Sequence, residues 1–312
     1  MSSKDALIEA ILKKKQERGA VILAHNYQLP EVQDIADFSG DSLELSRKAE
    51  NLDAEVVVFC GVHFMAETAA ILSPEKIVLL PDLGSGCPMA DMLDAESLAE
   101  LQSVHPDAVT VCYVNSTAEV KALSDVCCTS ANAPEVVASI PSDREVLFVP
   151  DQYLGGHVER TLKRDLIKFP GYCPTHARVL PEHIEAARKA YPGAPVMVHP
   201  ECRAETCLAA DAVLSTGGMC KFASESDAKT ILVGTEIGLL HRLRKENPDK
   251  NFVPVLEQAV CPNMKKNTLE SILSSLETLS PRVTVPPETA EKAKRSIVNM
   301  LHGFVPKEVS RG

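Results

Sequence analysis

Tryptophan is absent from the sequence, and aromatic residues make up only 4% of its 312 positions. Because 45% of the residues are hydrophobic and 24% are charged, the composition is still that of a globular protein, with an aliphatic core. Disordered and fibrous classes are excluded.

A long run of lysine and arginine is also missing, and the formal net charge is −11. Since binding to nucleic-acid phosphates needs clustered positive charge, nucleic acid is not an expected partner.

No apolar stretch approaches the roughly 18 residues of a membrane-spanning helix, so no membrane partner is expected. The N-terminal residues 1–20 have the pattern of an amphipathic helix and lack the apolar core and cleavage site of a signal peptide. We therefore expect a cytoplasmic chain. In a reducing compartment its ten cysteines are not expected to form disulfides, so specially placed ones are candidates for metal binding or catalysis.

Short β-branched runs alternate with polar turns and helical stretches along the whole chain. The predicted strands are 21–23, 56–59, 77–80, 109–111, 146–149, 196–198, 231–233 and 253–255. Strands that alternate with helices indicate parallel sheets with helices on their faces. The sequence therefore predicts an α/β protein.

Three segments, beginning at Ala24, Cys112 and Val198, align without gaps at offsets of 88 and 86 residues. The matched columns are His25, Tyr113 and His199; Tyr27, Asn115 and Glu201; Glu31, Glu119 and Glu205; Asp37, Asp125 and Asp211; and Ser42, Ser130 and Thr216. The Glu and Asp columns can be explained structurally, since helices and turns of any α/β unit use these residues. The same explanation fits the polar residues after each strand poorly. Open α/β sheets place their ligand-binding loops at these strand ends.

The repeat predicts three similar three-layer α/β/α units with parallel sheets, arranged with pseudo-threefold symmetry around a central site. We assign residues 1–88 to the first unit, 89–174 to the second and 175–284 to the third. A final amphipathic helix within 285–312 is expected to return and complete the first unit. Each unit is of normal domain size.

Each unit closes on a Cys-Pro pair, at Cys87, Cys173 and Cys261, which are 86 and 88 residues apart. Thiolates that meet on an axis need a cation to offset their repulsion. A structural zinc site normally has four ligands and local CxxC pairs, which are absent here. A 4Fe-4S cluster with three cysteine ligands and one open iron fits the spacing better, although zinc and three structural thiols remain alternatives.

The other seven cysteines lie in predicted strands or helices among apolar neighbours, where cysteine is commonly a small buried hydrophobe. They are Cys60, Cys112, Cys127, Cys128, Cys202, Cys207 and Cys220. Cys202 is the least secure of them because it follows Glu201 in a candidate site loop.

In order and spacing, a series of motifs resembles quinolinate synthase: AHNYQ, GDSLELS, CGVHFMAET, GCPMAD, YVNS, CTSANA, PDQYLG, CPTH, HPEC, STGGM and CPNMKKNTLE. The resemblance implies a transferase that condenses iminoaspartate with dihydroxyacetone phosphate, releasing phosphate and water, to give quinolinate for NAD biosynthesis. It also implies three α/β/α units around one 4Fe-4S cluster per chain, with Cys87, Cys173 and Cys261 as ligands. The enzyme that supplies iminoaspartate is a candidate partner.

Carried over by position, the family's substrate-contacting residues are His25, Tyr27, Ser42, Tyr113, Asn115, Ser130, His176, His199, Glu201 and Thr216. Some members carry further cysteines three residues either side of the last ligand, where this chain has Gln258 and Met264. A disulfide switch is therefore not expected here.

The implied reaction needs several proton transfers and a stabilised oxyanion. We expect Glu201 and Tyr27 to transfer protons, and His25, His199 and His176 to orient carboxylates or act as acids. Ser42, Ser130 and Thr216 precede or open helices. They are therefore either ordinary N-caps or part of a site for phosphate and carboxylate groups, and the two roles can coexist.

Two other functions remain open from the residues alone. The first is an aconitase-like hydro-lyase acting on a different small acid. The second is a non-catalytic metal-binding or redox-sensing protein in which the three thiols are only structural.

Overall fold

The computed structural model describes residues 3–304. Its first unit contains, in chain order, α1 (Ser3–Glu17), β1 (Ala20–His25), α2 (Pro30–Ile35), β2 (Phe38–Gly40), α3 (Ser42–Glu50), β3 (Val56–Cys60), α4 (His63–Leu72) and β4 (Ile77–Leu79). The second contains α5 (Ala95–Val104), β5 (Val109–Tyr113), α6 (Ala118–Leu123), β6 (Val126–Cys128), α7 (Ala133–Ala138), β7 (Val146–Val149), α8 (Gln152–Leu162) and β8 (Ile167–Lys168).

The third unit contains α9 (Pro181–Ala190), β9 (Val196–Val198), α10 (Ala204–Ala209), β10 (Ala212–Val213), α11 (Thr216–Glu225), β11 (Thr230–Gly234), α12 (Leu239–Glu246) and β12 (Asn251–Pro254). A short 3₁₀ turn follows the last strand of each unit, at Ala90–Met92, His176–Arg178 and Met264–Lys266. Two further helices, α13 (Leu269–Thr278) and α14 (Pro287–His302), come after the third turn.

The three units share one sheet topology. Each sheet has four parallel strands, and in each the unit's first strand lies between the second and the third, with the fourth at the far edge. This confirms the predicted α/β class and the three similar units. The boundaries at 88/89 and 174/175 stay a prediction.

All eight predicted strands are present, and the four strands that the sequence did not reveal are β2, β6, β8 and β10. Each of these is two or three residues long and lies at the edge of its sheet. An edge strand pairs on one side only, so it needs no long apolar run. The central strands are fully buried and carry the β-branched pattern that predicts them.

The aspartate column of the repeat has a structural role in all three units. Each carboxylate accepts the amide hydrogen of a residue on the central strand, which ties the following edge strand to it. The pairs are Ile22 and Asp37 (2.8 Å), Thr110 and Asp125 (2.9 Å), and Val196 and Asp211 (2.7 Å). Turn chemistry therefore explains this column.

The last two helices pack onto the earlier units. Helix α13 lies against α1 and β3, and its residues Leu269, Ile272 and Leu276 join the core beneath the first sheet. Helix α14 lies mainly against α6 and β6 of the second unit and, to a lesser extent, against α4 of the first. The prediction that α14 packs mainly on the first unit is thus wrong, since its main partner is the second unit. An apolar helix face does not by itself specify which sheet it covers. Residues 305–312 of the predicted segment lie outside the described residues.

Between residues 3 and 304, no helix combines the length and the apolar character needed to cross a membrane.

Candidate active site

Loops from all three units line one cavity, which encloses about 600 Å³, part of it open to solvent. Most of these loops begin where a strand ends, as expected for a parallel α/β sheet. The cavity is lined by every site residue that the sequence predicts: His25, Tyr27, Ser42, Cys87, Tyr113, Asn115, Ser130, Cys173, His176, His199, Glu201, Thr216 and Cys261.

The three Cys-Pro cysteines are partly buried on the loops that follow β4, β8 and β12. Burial, followed by the charges of neighbouring groups, raises the pKa of Cys87 to about 12 and that of Cys173 well above its usual value. The neighbouring groups include Cys261, whose own pKa is also raised by burial. Three thiolates can therefore share this cavity only if a bound cation offsets their charge.

Backbone amides near each of the three sulfurs partly offset the effect of burial on the pKa of the thiol. In each case the donor is the amide three residues further on, inside the 3₁₀ turn. These donors are the amides of Ala90, His176 and Met264. Such N–H groups stabilise a thiolate and hold it in one orientation, as they do around metal-bound cysteines.

The histidines at the ends of β1 and β9 are buried and held in one tautomer. The amide of Tyr27 donates to Nδ1 of His25 (3.2 Å), and the amide of Glu201 donates to Nδ1 of His199 (3.3 Å). Nδ1 is thus an acceptor in both rings, so the hydrogen is on Nε2. Burial lowers the pKa of both imidazoles to about 3. At neutral pH, His25 and His199 are therefore uncharged N–H donors, which favours the orienting role over the acid role.

Glu201 is buried at the centre of the polar network. Its Oε2 lies 2.6 Å from Nδ1 of His176, and its Oε1 accepts from the hydroxyl of Tyr113 (2.6 Å) and the amide of Asn115 (3.4 Å). Burial raises the pKa of Glu201, but the charge of His176 and the hydrogen bonds from His176 and Tyr113 more than offset this and lower it below its ordinary value. The group is therefore an ionised carboxylate surrounded by donors.

A chain of hydrogen bonds connects Tyr27 to Glu201. The Tyr27 hydroxyl lies 2.6 Å from Oγ1 of Thr235, which lies 2.8 Å from Nε2 of His176. Nδ1 of His176 faces the Glu201 carboxylate, and its Nε2 also lies 3.3 Å from the Tyr27 hydroxyl, so these groups form one continuous chain of hydrogen bonds. Burial, and after it the charge of Glu201, raises the pKa of Tyr27 well above its usual value, so the phenol keeps its proton.

The three hydroxyl residues of the repeat are not the N-caps of their helices. Asp41 caps α3, Asn132 occupies the N-cap position of α7 and Ser215 caps α11, so the N-cap alternative is wrong. This leaves the hydroxyls free for other bonds: Ser130 lies 3.1 Å from Nε2 of His199, and Thr216 accepts from the side-chain amide of Asn26 (2.9 Å).

These features coincide with a match to a known family. The family described as Quinolinate synthetase A protein matches residues 9–302. The chain belongs to this family. It is 60% identical over 298 residues to the quinolinate synthase of Dehalococcoides mccartyi, covering 96% of this chain and 98% of that protein. It is 53% identical over 301 residues to the quinolinate synthase of Thermus thermophilus, covering 95% and 97%. The corresponding protein of Methanoregula boonei is 52% identical over 295 residues, covering 95% and 97%.

In this member of the quinolinate synthetase A family, two sets of side chains could bind metal. The first is the set of three cysteines, whose soft thiolates and N–H···S bonds suit an iron–sulfur cluster. The second is Cys173, His176 and Glu201, whose ligand atoms all lie within 4.8 Å of one another. In the second set, Nδ1 of His176 is already hydrogen-bonded to Glu201, so these two side chains belong to the hydrogen-bond network described above.

Sequence reasoning missed several residues of this family site, chiefly Asp41, Thr235 and Glu236. Glu236 lies two residues beyond the third strand of its unit, and Val62 and Asp151 occupy the same place in the other two units. The three positions are 89 and 85 residues apart, not 88 and 86, so a search at fixed offset does not find them.

Among residues 3–304, no lysine or arginine lines the cavity. Its polar surface consists of hydroxyl, amide and imidazole groups, together with the carboxyl groups of Asp41, Glu201 and Glu236. An anionic ligand must therefore be bound by neutral donors and by any cation held on the cysteines.

The remaining seven cysteines are all buried, as predicted, and none of them lines this cavity. Cys202, the least secure of these predictions, points its thiol toward the carbonyl of Gly234 (3.7 Å).

Proposed function

We propose that the protein condenses iminoaspartate with dihydroxyacetone phosphate to form quinolinate, phosphate and water, as a cytoplasmic transferase of NAD biosynthesis. Its membership of the quinolinate synthetase A family supports this, as do close relatives named quinolinate synthase. The observation that carries the proposal is the meeting of Cys87, Cys173 and Cys261, one from each unit, in a cavity with proton-transfer groups. The enzyme that supplies iminoaspartate is the proposed partner.

We propose a single 4Fe-4S cluster as the cofactor, held by Cys87, Cys173 and Cys261. When bound, such a cluster leaves one iron without a protein ligand and supplies a Lewis acid for the elimination of water. The backbone amides beside the three sulfurs support this assignment, because they stabilise a thiolate more than a neutral thiol.

Neutral donors are proposed to bind the substrate anions. The Nε2–H groups of His25 and His199 and the hydroxyls of Ser42, Ser130 and Thr216 offer hydrogen bonds to carboxylate or phosphate oxygens without carrying charge. Asn115 adds an acceptor, because its buried Oδ1 has no partner among the described residues while its Nδ2 bonds to Glu201. This acceptor suits an N–H or O–H group of a substrate.

Proton transfer is proposed for Tyr27 and Glu201. The phenol of Tyr27 holds a proton beside the cavity, and Thr235 and His176 connect it to the Glu201 carboxylate. Glu201 accepts protons as a base, while the connected hydroxyl and imidazole groups allow a proton to reach Tyr27 again. Tyr113 donates to Glu201 and orients it.

Anaerobic purification, followed by iron and sulfide counting and absorption spectroscopy, tests the cofactor. We expect about four irons per chain in the wild type and loss of the cluster band in Cys87→Ser, Cys173→Ser and Cys261→Ser. Cys220→Ser is the matched control, because Cys220 is buried but does not line the cavity. Full iron content in any of the three variants would remove that cysteine from the ligand set.

Chromatographic detection of quinolinate after incubation with iminoaspartate and dihydroxyacetone phosphate tests the reaction. A chain that carries the cluster but forms no quinolinate would point instead to a hydro-lyase acting on another acid.

A further inference from the structure

A buried ion pair lies between the third cysteine loop and the Tyr27 loop. Nζ of Lys265 is 2.9 Å from Oε1 and 3.1 Å from Oε2 of Glu236, whose side chain is fully buried. Lys265 belongs to the 3₁₀ turn that begins just after Cys261, and Glu236 follows β11. The pair therefore sits within the third unit at the edge of the cavity, which Glu236 lines and Lys265 does not.

Glu236 also holds the cysteine loop directly. Its Oε1 accepts the amide hydrogen of Cys261 (3.1 Å), and its Oε2 accepts that of Gly238 (2.7 Å). Each carboxylate oxygen of Glu236 is thus bonded both to a backbone amide and to the ammonium group of Lys265. A displacement of the Cys261 loop would have to move this carboxylate or break a charge-assisted hydrogen bond.

On its other side, the pair reaches the first unit. Nζ of Lys265 donates to the backbone carbonyl of Tyr27. Gly238 approaches the same peptide so closely that a Cβ on it would lie 2.8 Å from the carbonyl carbon of Tyr27 and 2.7 Å from Nζ of Lys265. Gln33 closes the contact by donating to the carbonyls of Gln28 (2.9 Å) and Gly238 (2.9 Å).

The hydroxyl end of Tyr27 is held by the same segment of the third unit, because Thr235 lies next to Glu236 in the chain and 2.6 Å from the phenol oxygen. The backbone carbonyl and the phenol of Tyr27 therefore both depend on the stretch from Thr235 to Gly238. Neither Glu236 nor Lys265 needs to touch a substrate to affect the position of the phenol.

We propose that Glu236 and Lys265 are positioning residues that transmit the placement of the Cys261 loop to Tyr27, so that loading of the cofactor fixes the proton donor. The inference rests on the proposed function in so far as Cys261 is a cofactor ligand and Tyr27 a proton donor. It predicts that the 25–28 segment becomes more rigid when the cofactor binds, and that this change requires Lys265.

Hydrogen exchange of the full chain, read by mass spectrometry before and after anaerobic cluster loading, tests this. In the wild type, exchange of the 25–28 amides should slow by about tenfold or more on loading, because a fixed Cys261 loop makes the hydrogen bond from Lys265 to the Tyr27 carbonyl harder to break. In Lys265→Met the slowing should disappear, although the cluster band is retained. Because Lys265→Met leaves the buried Glu236 carboxylate unpaired, Glu236→Gln/Lys265→Met is the second variant, in which neither member of this pair is charged.

Lys266→Met is the matched control, because Lys266 is the next residue and bonds to a different carbonyl, that of Gly84. It should keep the wild-type response at 25–28. Undiminished slowing in both Lys265 variants would overturn the proposal, as would equal loss of slowing in the control. If the wild type takes up no cluster, the proposed cofactor and the coupling to loading both fail. In that case, comparison of the apo wild type with apo Lys265→Met still tests whether Lys265 anchors the segment. Removal of Lys265 should speed exchange of the 25–28 amides.

Discussion

Mild acid should destabilise the folded chain through two buried histidines. Burial lowers the pKa of His25 and His199 to about 3 in the folded state, whereas unfolded histidine has a pKa of about 6.5. Because the folded pKa is the lower one, the unfolded state binds more protons between these two values. The stability contribution is therefore complete above about pH 6.5 and is lost as the pH falls toward 3.

The size of the effect follows from the two pKa values. Each pH unit below 6.5 costs about 1.4 kcal/mol for each histidine. At pH 5 the loss is about 2 kcal/mol for each ring and about 4 kcal/mol for both. This is a large part of the ~5–15 kcal/mol by which domains are usually stable.

Urea unfolding of the apo chain at pH 7 and pH 5 measures this loss. The comparison is with His25→Gln/His199→Gln, in which each glutamine keeps an N–H donor but does not titrate in this range. We expect the wild type to lose about 4 kcal/mol more than the double variant between the two pH values. His302→Gln, at an exposed histidine on α14, should behave as the wild type. An equal loss in wild type and double variant would refute the neutral-imidazole assignment.

Two further predictions concern the carboxylates. Glu201→Gln should keep the iron content but lower turnover by about 10²–10⁴-fold, the usual contribution of a positioned acid or base; wild-type turnover would contradict the proton-transfer role, and Glu257→Gln at an exposed position is the control. Asp125→Ala should cost about 1.5–3 kcal/mol in the free energy of unfolding, because the amide of Thr110 loses a charged acceptor. The exposed Asp143→Ala should cost almost nothing, and a similar loss in both variants would show that the bond to Thr110 is not the cause.

The sequence was a good guide to the interior of the sheets, but of their six edge strands it revealed only β4 and β12. Runs such as 56–59 and 146–149 form strands buried on both faces, so they consist of uninterrupted apolar residues. Edge strands such as β10 need only two residues and one neighbour, and they leave no pattern. The partner of α14 was similarly hidden, since its apolar face would fit any exposed sheet or helix surface.

In the site, the recurring positions were predictable because equivalent strands end at equivalent places. The repeat places His25, Glu201 and the other members of their columns together, and the structure shows them lining one cavity. Hydrogen-bond direction was not predictable. Only the folded structure shows that backbone amides donate to Nδ1 of both His25 and His199, and that Thr235 lies between Tyr27 and His176.

The three units share one backbone plan but line the cavity with different groups. Where β1 ends there are an imidazole and a phenol, where β5 ends a phenol and an amide, and where β9 ends an imidazole and a carboxylate. A homotrimer with the same topology would have three identical walls, so it could not distinguish the faces or ends of a bound molecule by contact alone. Joining the units in one chain lets each wall mutate independently. The centre can therefore present a different set of donors and acceptors from each unit, which lets it distinguish the ends of an unsymmetrical ligand.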